Sequence, residues 1–166
     1  MSRRQHGIPN ILAAVGDFCY EGIRKGTDMD IEALIPHRDR MRLIGEALAV
    51  DDDKAVTSST VTEDWPLYHD GAVDALVTIE LVAQTAALIE GWKRQQSGRG
   101  GTKGWLVGIK GADFRLPRIP LSAILLTEVR RDYAVDGYAV FEGTVRLGTE
   151  VLAAISVQAF RPGKDA

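Results

Sequence analysis

The sequence predicts an α+β fold in which an antiparallel sheet wraps around one long central helix. Three observations carry this expectation. The run Ala75-Leu76-Val77-Thr78-Ile79-Glu80-Leu81-Val82-Ala83-Gln84-Thr85-Ala86-Ala87-Leu88-Ile89 has apolar residues on nearly every side, the pattern of a helix buried all round. Two strand-like segments precede it and four follow as a meander. A helix apolar on every side cannot lie on an open sheet with its back to water. The sheet must therefore curl around it, and a second copy of the subunit is the natural cover for what stays open.

The elements follow in order. Asp30 is placed as the N-cap of a short helix from Ile31 to Ile35, which Pro36 ends. Arg42 to Val50 reads as a strand, Asp51-Asp52-Asp53 as a turn, and Lys54 to Thr62, rich in valine and threonine, as a second strand. Trp65-Pro66 and Asp70-Gly71 mark a loop or single turn before the long helix, expected from about Val73 to Gln95. Ser97-Gly98-Arg99-Gly100-Gly101 is a flexible turn, and Trp105 to Arg115 the next strand. Ile124 to Val135 and Tyr138 to Leu147 flank the hairpin signal Asp136-Gly137. In the second of these, Ala139, Phe141, Val145 and Leu147 share one face and Glu142, Thr144 and Arg146 the other. Gly148-Thr149 turns the chain into a last strand, Val151 to Phe160. The three tryptophans, Trp65, Trp92 and Trp105, are assigned to core or interface packing.

A length of 166 residues suits one domain with a sizeable core. We place that domain at residues 29–166 and treat residues 1–28 as an N-terminal extension. In the extension, Ile11, Leu12, Val15, Phe18 and Cys19 recur at helical spacing, so a short amphipathic helix on the domain surface is expected. Pro9 and Asn10 interrupt its apolar stretch and no clean small-residue cleavage site follows, which argues against secretion. The formal net charge of -3 supplies no basic field for nucleic acid. Asp74, Glu80, Gln84 and Glu90 interrupt the most apolar stretch, so no membrane span is expected. A single cysteine rules out an internal disulfide, and the three histidines lack metal-ligand spacing, so we expect a cytoplasmic protein without a metal.

Glu80 is the most informative residue. A carboxylate within so apolar a run must be paired, hydrogen-bonded or protonated, because burying a bare charge is costly. His69 lies eleven residues upstream, beside Asp70-Gly71. An acid in an apolar setting and a histidine able to take a proton are the usual parts of acid/base chemistry. A structural carboxylate in a satisfied network fits the same position. Gln84, four residues past Glu80, shares its helical face, where it either orients the carboxylate or serves as a core amide satisfied by backbone. His37 and Arg38 read as structural, since a histidine after proline at a helix end commonly makes a local hydrogen bond.

Several segments together resemble the beta-hydroxyacyl-ACP dehydratases of the hotdog fold, of the FabZ type and more closely the ApeP-like branch linked to aryl-polyene-type pathways. Leu34-Ile35-Pro36-His37-Arg38 with Met41-Arg42-Leu43-Ile44 resembles the opening proline-histidine-arginine motif. Ile79-Glu80-Leu81-Val82-Ala83-Gln84 resembles the motif of the central helix, and Gly91 sits where the ApeP-like branch has a glycine. Phe114-Arg115-Leu116-Pro117 with Pro120 resembles the arginine-proline strand and bend. Two segments depart. Tyr68-His69-Asp70-Gly71 stands for the family's Gly-His-Phe-Pro loop and is shorter, as in the ApeP-like branch, and Pro120-Leu121-Ser122 lacks the proline-glycine-aspartate bend.

The resemblance implies reversible dehydration of a 3-hydroxyacyl thioester, on acyl carrier protein or coenzyme A, to the trans-2-enoyl thioester. No cofactor is required. His69 would be the base and Glu80 the acid, contributed by different subunits of a homodimer. Backbone N–H groups near Gly71 to Val73 could hold the thioester oxygen, Gln84 could line the site, and Arg115 with Arg118 either meets the phosphate of a pantetheine arm or forms a solvated strand end. Two other readings remain on the same scaffold. One is a thioesterase in which Glu80 activates water. The other is a catalytically silent acyl-binding partner subunit.

Overall fold

The computed structural model of the chain describes residues 24–25, 29–98 and 104–162. The helix expected around Ile11 to Cys19, and the glycine-rich turn beyond Gly98, lie outside them. The elements are β1 (Arg24–Lys25), α1 (Ile31–Leu34), a 3-10 turn (Asp39–Met41), β2 (Glu46–Val50), β3 (Lys54–Thr60), β4 (Tyr68–His69) and β5 (Ala72–Asp74). After them come α2 (Val77–Gln96), β6 (Trp105–Phe114), β7 (Arg118–Pro120), β8 (Ile124–Val135), β9 (Tyr138–Leu147) and β10 (Glu150–Phe160). Seven strands form one antiparallel sheet in the order β1-β2-β3-β8-β9-β10-β6, and β4-β5-β7 form a small second sheet.

The helix α2 packs against β2, β3, β8, β9 and β10, which gives the hotdog arrangement. Leu81, Leu88 and Ile89 of α2 are fully buried with Leu125, Phe141 and Val145 of the sheet. The alternation expected in β9 holds: Ala139, Phe141 and Val145 face the core and Leu147 packs at its margin. Thr85 crosses from helix to sheet. Its hydroxyl donates to Leu81 O (2.8 Å) and shares a 2.9 Å hydrogen bond with Thr57 of β3, so two buried polar side chains are satisfied together.

Local signals explain the turns. The Asp30 carboxylate accepts from the N–H groups of Glu32 and Ala33, capping α1. Asp51 accepts from the N–H groups of Asp53 and Lys54 and closes the β2–β3 turn. Asp136 and Gly137 adopt φ of 49° and 83°, the paired left-handed conformation of a two-residue hairpin turn.

Three expectations are corrected. The long helix begins at Val77, because Val73 is claimed by strand pairing with Tyr68 and Ile119. Asp74 then turns the chain, its carboxylate accepting from Leu76 N–H at 2.9 Å. The stretch around residues 68–74 is a tight β4–β5 hairpin rather than a loop, and β7 completes its sheet. Finally, α2 is not buried all round within one subunit. Ile79, Glu80, Ala83, Ala87 and Glu90 form a half-buried stripe along one side.

The extension also contributes. Arg24 pairs with Val50 and Lys25 with Ala49, so β1 adds two residues to the sheet edge. Because so short an edge strand adds little, a chain starting at Met29 is expected to fold and keep activity. A melting curve beside that of the full chain checks this, and aggregation or a large drop in Tm would show that the extension covers core or interface surface.

Gly91 has a steric role. A Cβ there would lie 2.2 Å from the Leu34 carbonyl oxygen, at the end of α1. That carbonyl also accepts from Arg94 at 3.1 Å, so α1 is fastened to α2 over one turn of helix. Gly91→Ala should destabilise the protein by about 1–3 kcal/mol, the usual cost of overpacking, measured by denaturant unfolding.

Candidate active site

Glu80 is the fourth residue of α2, in its first turn. A helix starting near Val73, as expected from sequence, would put Glu80 about two turns in; the later start at Val77 places it instead near the positive end of the helix dipole. Its side chain is 32% exposed, so a substrate can reach it.

Gln84 lies one turn further along and is completely buried. Its side-chain oxygen accepts from Leu43 N–H at 3.0 Å. Its amide nitrogen donates to Met41 O at 2.7 Å and to Glu80 Oε1 at 2.8 Å. The amide orientation follows from these partners. Only the oxygen can accept from Leu43 N–H, so the nitrogen faces the two oxygen atoms. Of the roles considered for Gln84 from sequence, its contacts are those of a core amide satisfied by backbone that also meets the glutamate, while its complete burial gives it no surface with which to line the site.

His37, read from sequence as structural, is brought to Glu80. Its Nε2 lies 3.3 Å from Glu80 Oε1, and its side chain is 28% exposed. Arg38 fixes the loop beside it, donating to Ile35 O (2.7 Å), His37 O (2.8 Å) and Glu32 O (2.7 Å). The structural reading of Arg38 therefore holds. The signal for His37 was its place in the Pro36-His37-Arg38 motif, but nothing local to the motif points to a carboxylate on α2.

His69 stands at the end of β4, 55% exposed. Arg118 of β7 donates to its Nδ1 (3.1 Å), to its backbone carbonyl and to Asp70 O (3.5 Å). Arg118 can only donate, so in this contact Nδ1 is the accepting nitrogen, and the Asp70 carboxylate lies 3.7 Å from the same nitrogen. Gly71 follows at φ 78° in the hairpin turn. Arg115 leaves β6 with an exposed side chain while its N–H donates to Leu152 O at 2.8 Å. Within the subunit, Glu80, Gln84 and His37 are joined by one set of contacts, and His69 and Arg118 by another on the small sheet.

If Gln84 both satisfies buried backbone and aligns Glu80, Gln84→Met should have two effects. Stability should fall by about 1–3 kcal/mol for each of the two backbone groups left unpaired, read from chemical denaturation. Activity should also fall, by about tenfold or more, in the fraction that remains folded, the cost of a misaligned group.

Three comparisons bear on this arrangement. The family model described as ApeP-like, ApeP dehydratase, matches residues 29–166. The 3-hydroxyacyl-(acyl-carrier-protein) dehydratase FabZ of Streptococcus pyogenes is 29% identical over 106 residues, covering 59% of this chain and 72% of the relative. Among solved structures, the dehydratase heterocomplex ApeI:P from Xenorhabdus doucetiae matches with a TM-score of 0.75 at 22% identity, covering 82% of this chain and 93% of that one. A hypothetical thioesterase with coenzyme A from Streptococcus pneumoniae matches with a TM-score of 0.54 at 15% identity, covering 71% and 85%. At these identities the solved structures report the fold.

Proposed function

We propose a working site for a chain that belongs to the ApeP-like dehydratase family and dehydrates 3-hydroxyacyl thioesters. The observation that carries the proposal is the setting of Glu80: a reachable carboxyl at the head of the central helix, aligned by a buried glutamine whose every group is in use. In the dehydration direction a base takes the proton from C2 of the acyl chain. The released pair forms the C2–C3 double bond, the C3–O bond breaks, and an acid protonates the departing hydroxyl so that it leaves as water. The balance is complete without a further reactant.

In our reading Glu80 is the acid and His69 of a second subunit is the base. A proton from C2 would enter at Nδ1, which requires the Arg118 contact to open when substrate binds. Backbone N–H groups near Gly71 would receive the thioester oxygen, each such donor being typically worth ~3 kcal/mol in the transition state. Arg115, exposed at the end of β6, would meet the phosphate of a pantetheine arm on acyl carrier protein or coenzyme A.

Two features support the second subunit. β6 is an edge strand, and Trp105, Leu106, Val107 and Ile109 along it are all exposed. The stripe Ile79, Ala83 and Ala87 leaves the otherwise buried helix α2 open on one side. Pairing of two β6 edges would cover both, giving a homodimer with two composite sites. The acyl group we favour is that of an aryl-polyene-type pathway, as the ApeP-like branch suggests.

Two measurements test the site. Glu80→Gln should abolish enoyl formation with the dimer intact, and thiol release by the wild type in place of an enoyl absorbance change would favour hydrolysis. His69→Ala and Glu80→Ala should each be inactive alone. Refolded together they should regain about a quarter of wild-type activity, because half the dimers are mixed and each carries one intact site. No recovery in demonstrably mixed dimers would remove His69 from the site.

A further inference from the structure

We infer that His37 is a positioning residue for Glu80: with Gln84 it holds Oε1, so that Oε2 is the oxygen through which the proton passes. The inference rests on Glu80 being the proton-transferring group.

The geometry runs from Gln84 outward. Its nitrogen donates, so Glu80 Oε1 accepts, and because the carbonyl-type oxygen of a carboxyl is the stronger acceptor this contact favours an acid proton on Oε2. His37 Nε2 lies 3.3 Å from that same oxygen. Two neutral tautomers are open to the ring. With the proton on Nδ1, the Nε2 lone pair would face the Oε1 lone pairs. With the proton on Nε2, the ring donates to Oε1 and the contact is favourable. The second choice also agrees with the other nitrogen. His37 Nδ1 is buried and has no partner among the described residues. A bare acceptor is tolerated there better than an N–H with nowhere to donate. In that tautomer two donors face Oε1, Gln84 from α2 and His37 from the loop after α1. Oε2 receives neither bond and is left for the substrate.

The loop is built to hold this position. Arg38 fastens its start to α1, Gln84 fastens Met41 and Leu43 to α2, and Asp39 between them takes a φ of 51°. Gly91 lets α1 sit close enough on α2 for the loop to reach.

The test uses the full-length protein and a 3-hydroxyacyl-pantetheine thioester, followed by enoyl absorbance. His37→Leu removes the donor and His37→Gln restores an N–H at about the Nε2 position. We expect kcat to fall about 10- to 100-fold in His37→Leu, the cost of a misaligned group, with KM changed less than about threefold. His37→Gln should recover most of the loss. A second measurement reads the ring nitrogens of His37 by 15N NMR in the wild type, where the Nε2–H tautomer is expected. It decides the matter even where His37→Leu does not fold. Wild-type turnover in a folded His37→Leu, equal losses in the two variants, or an Nδ1–H tautomer would each overturn the inference. Glu80→Gln run in parallel separates the two levels. If it keeps wild-type turnover, the reading of Glu80 itself fails. If it is inactive while His37→Leu is not, only the role of His37 fails.

Discussion

The buried amide of Gln84 is the interaction on which the site depends. Its oxygen and both of its hydrogens are bonded to groups of the chain itself. A fully buried side-chain amide is costly unless every group is matched, so its presence constrains the surrounding geometry. Moving Met41, Leu43 or Glu80 by an ångström would strand a donor or an acceptor. The irregular chain between α1 and β2 thereby inherits the rigidity of the central helix.

That rigidity matters because the groups gathered at Glu80 come from elements with little order of their own. α1 spans four residues and the following 3-10 turn three. Neither would hold its shape in isolation. They are kept in place by contacts to α2: Leu34 O against Gly91 and Arg94, and Met41 and Leu43 against Gln84. Functional groups carried on short connections and positioned by a rigid scaffold are a common arrangement.

Much of the fold was legible in the sequence because its signals are local. The Asp30 cap, the Asp51 turn, the Asp136-Gly137 hairpin and the alternation of β9 each depend on neighbours a few residues away. What was hidden depends on distant partners. The start of α2 could not be read, because the strand state of Val73 is imposed by Ile119, far later in the chain. The small sheet was missed for the same reason, since β7 exists only where β5 offers an edge. In the site, Glu80 and Gln84 stood out by their spacing on one helix. His37 did not, because its partner lies on the other side of four strands. Arg118 could be placed near a phosphate from its charge, yet the structure has it holding the β4–β5 hairpin.

The sheet order has a consequence for how the protein is made. β3 pairs with β8, and α2, β6 and β7 are synthesised between them. When α2 leaves the ribosome, only α1, β2 and β3 of the elements it packs against are already made, and most of the floor for its apolar surface is missing. The central strands β8 and β9 arrive some tens of residues later, at a few seconds' remove by typical elongation rates. Closing so long a loop before its contacts are rewarded is slow. The same burial that makes α2 a firm support for Glu80 therefore leaves it the most adhesive segment of the nascent chain, and the protein's yield in a cell hangs on how well that interval is guarded.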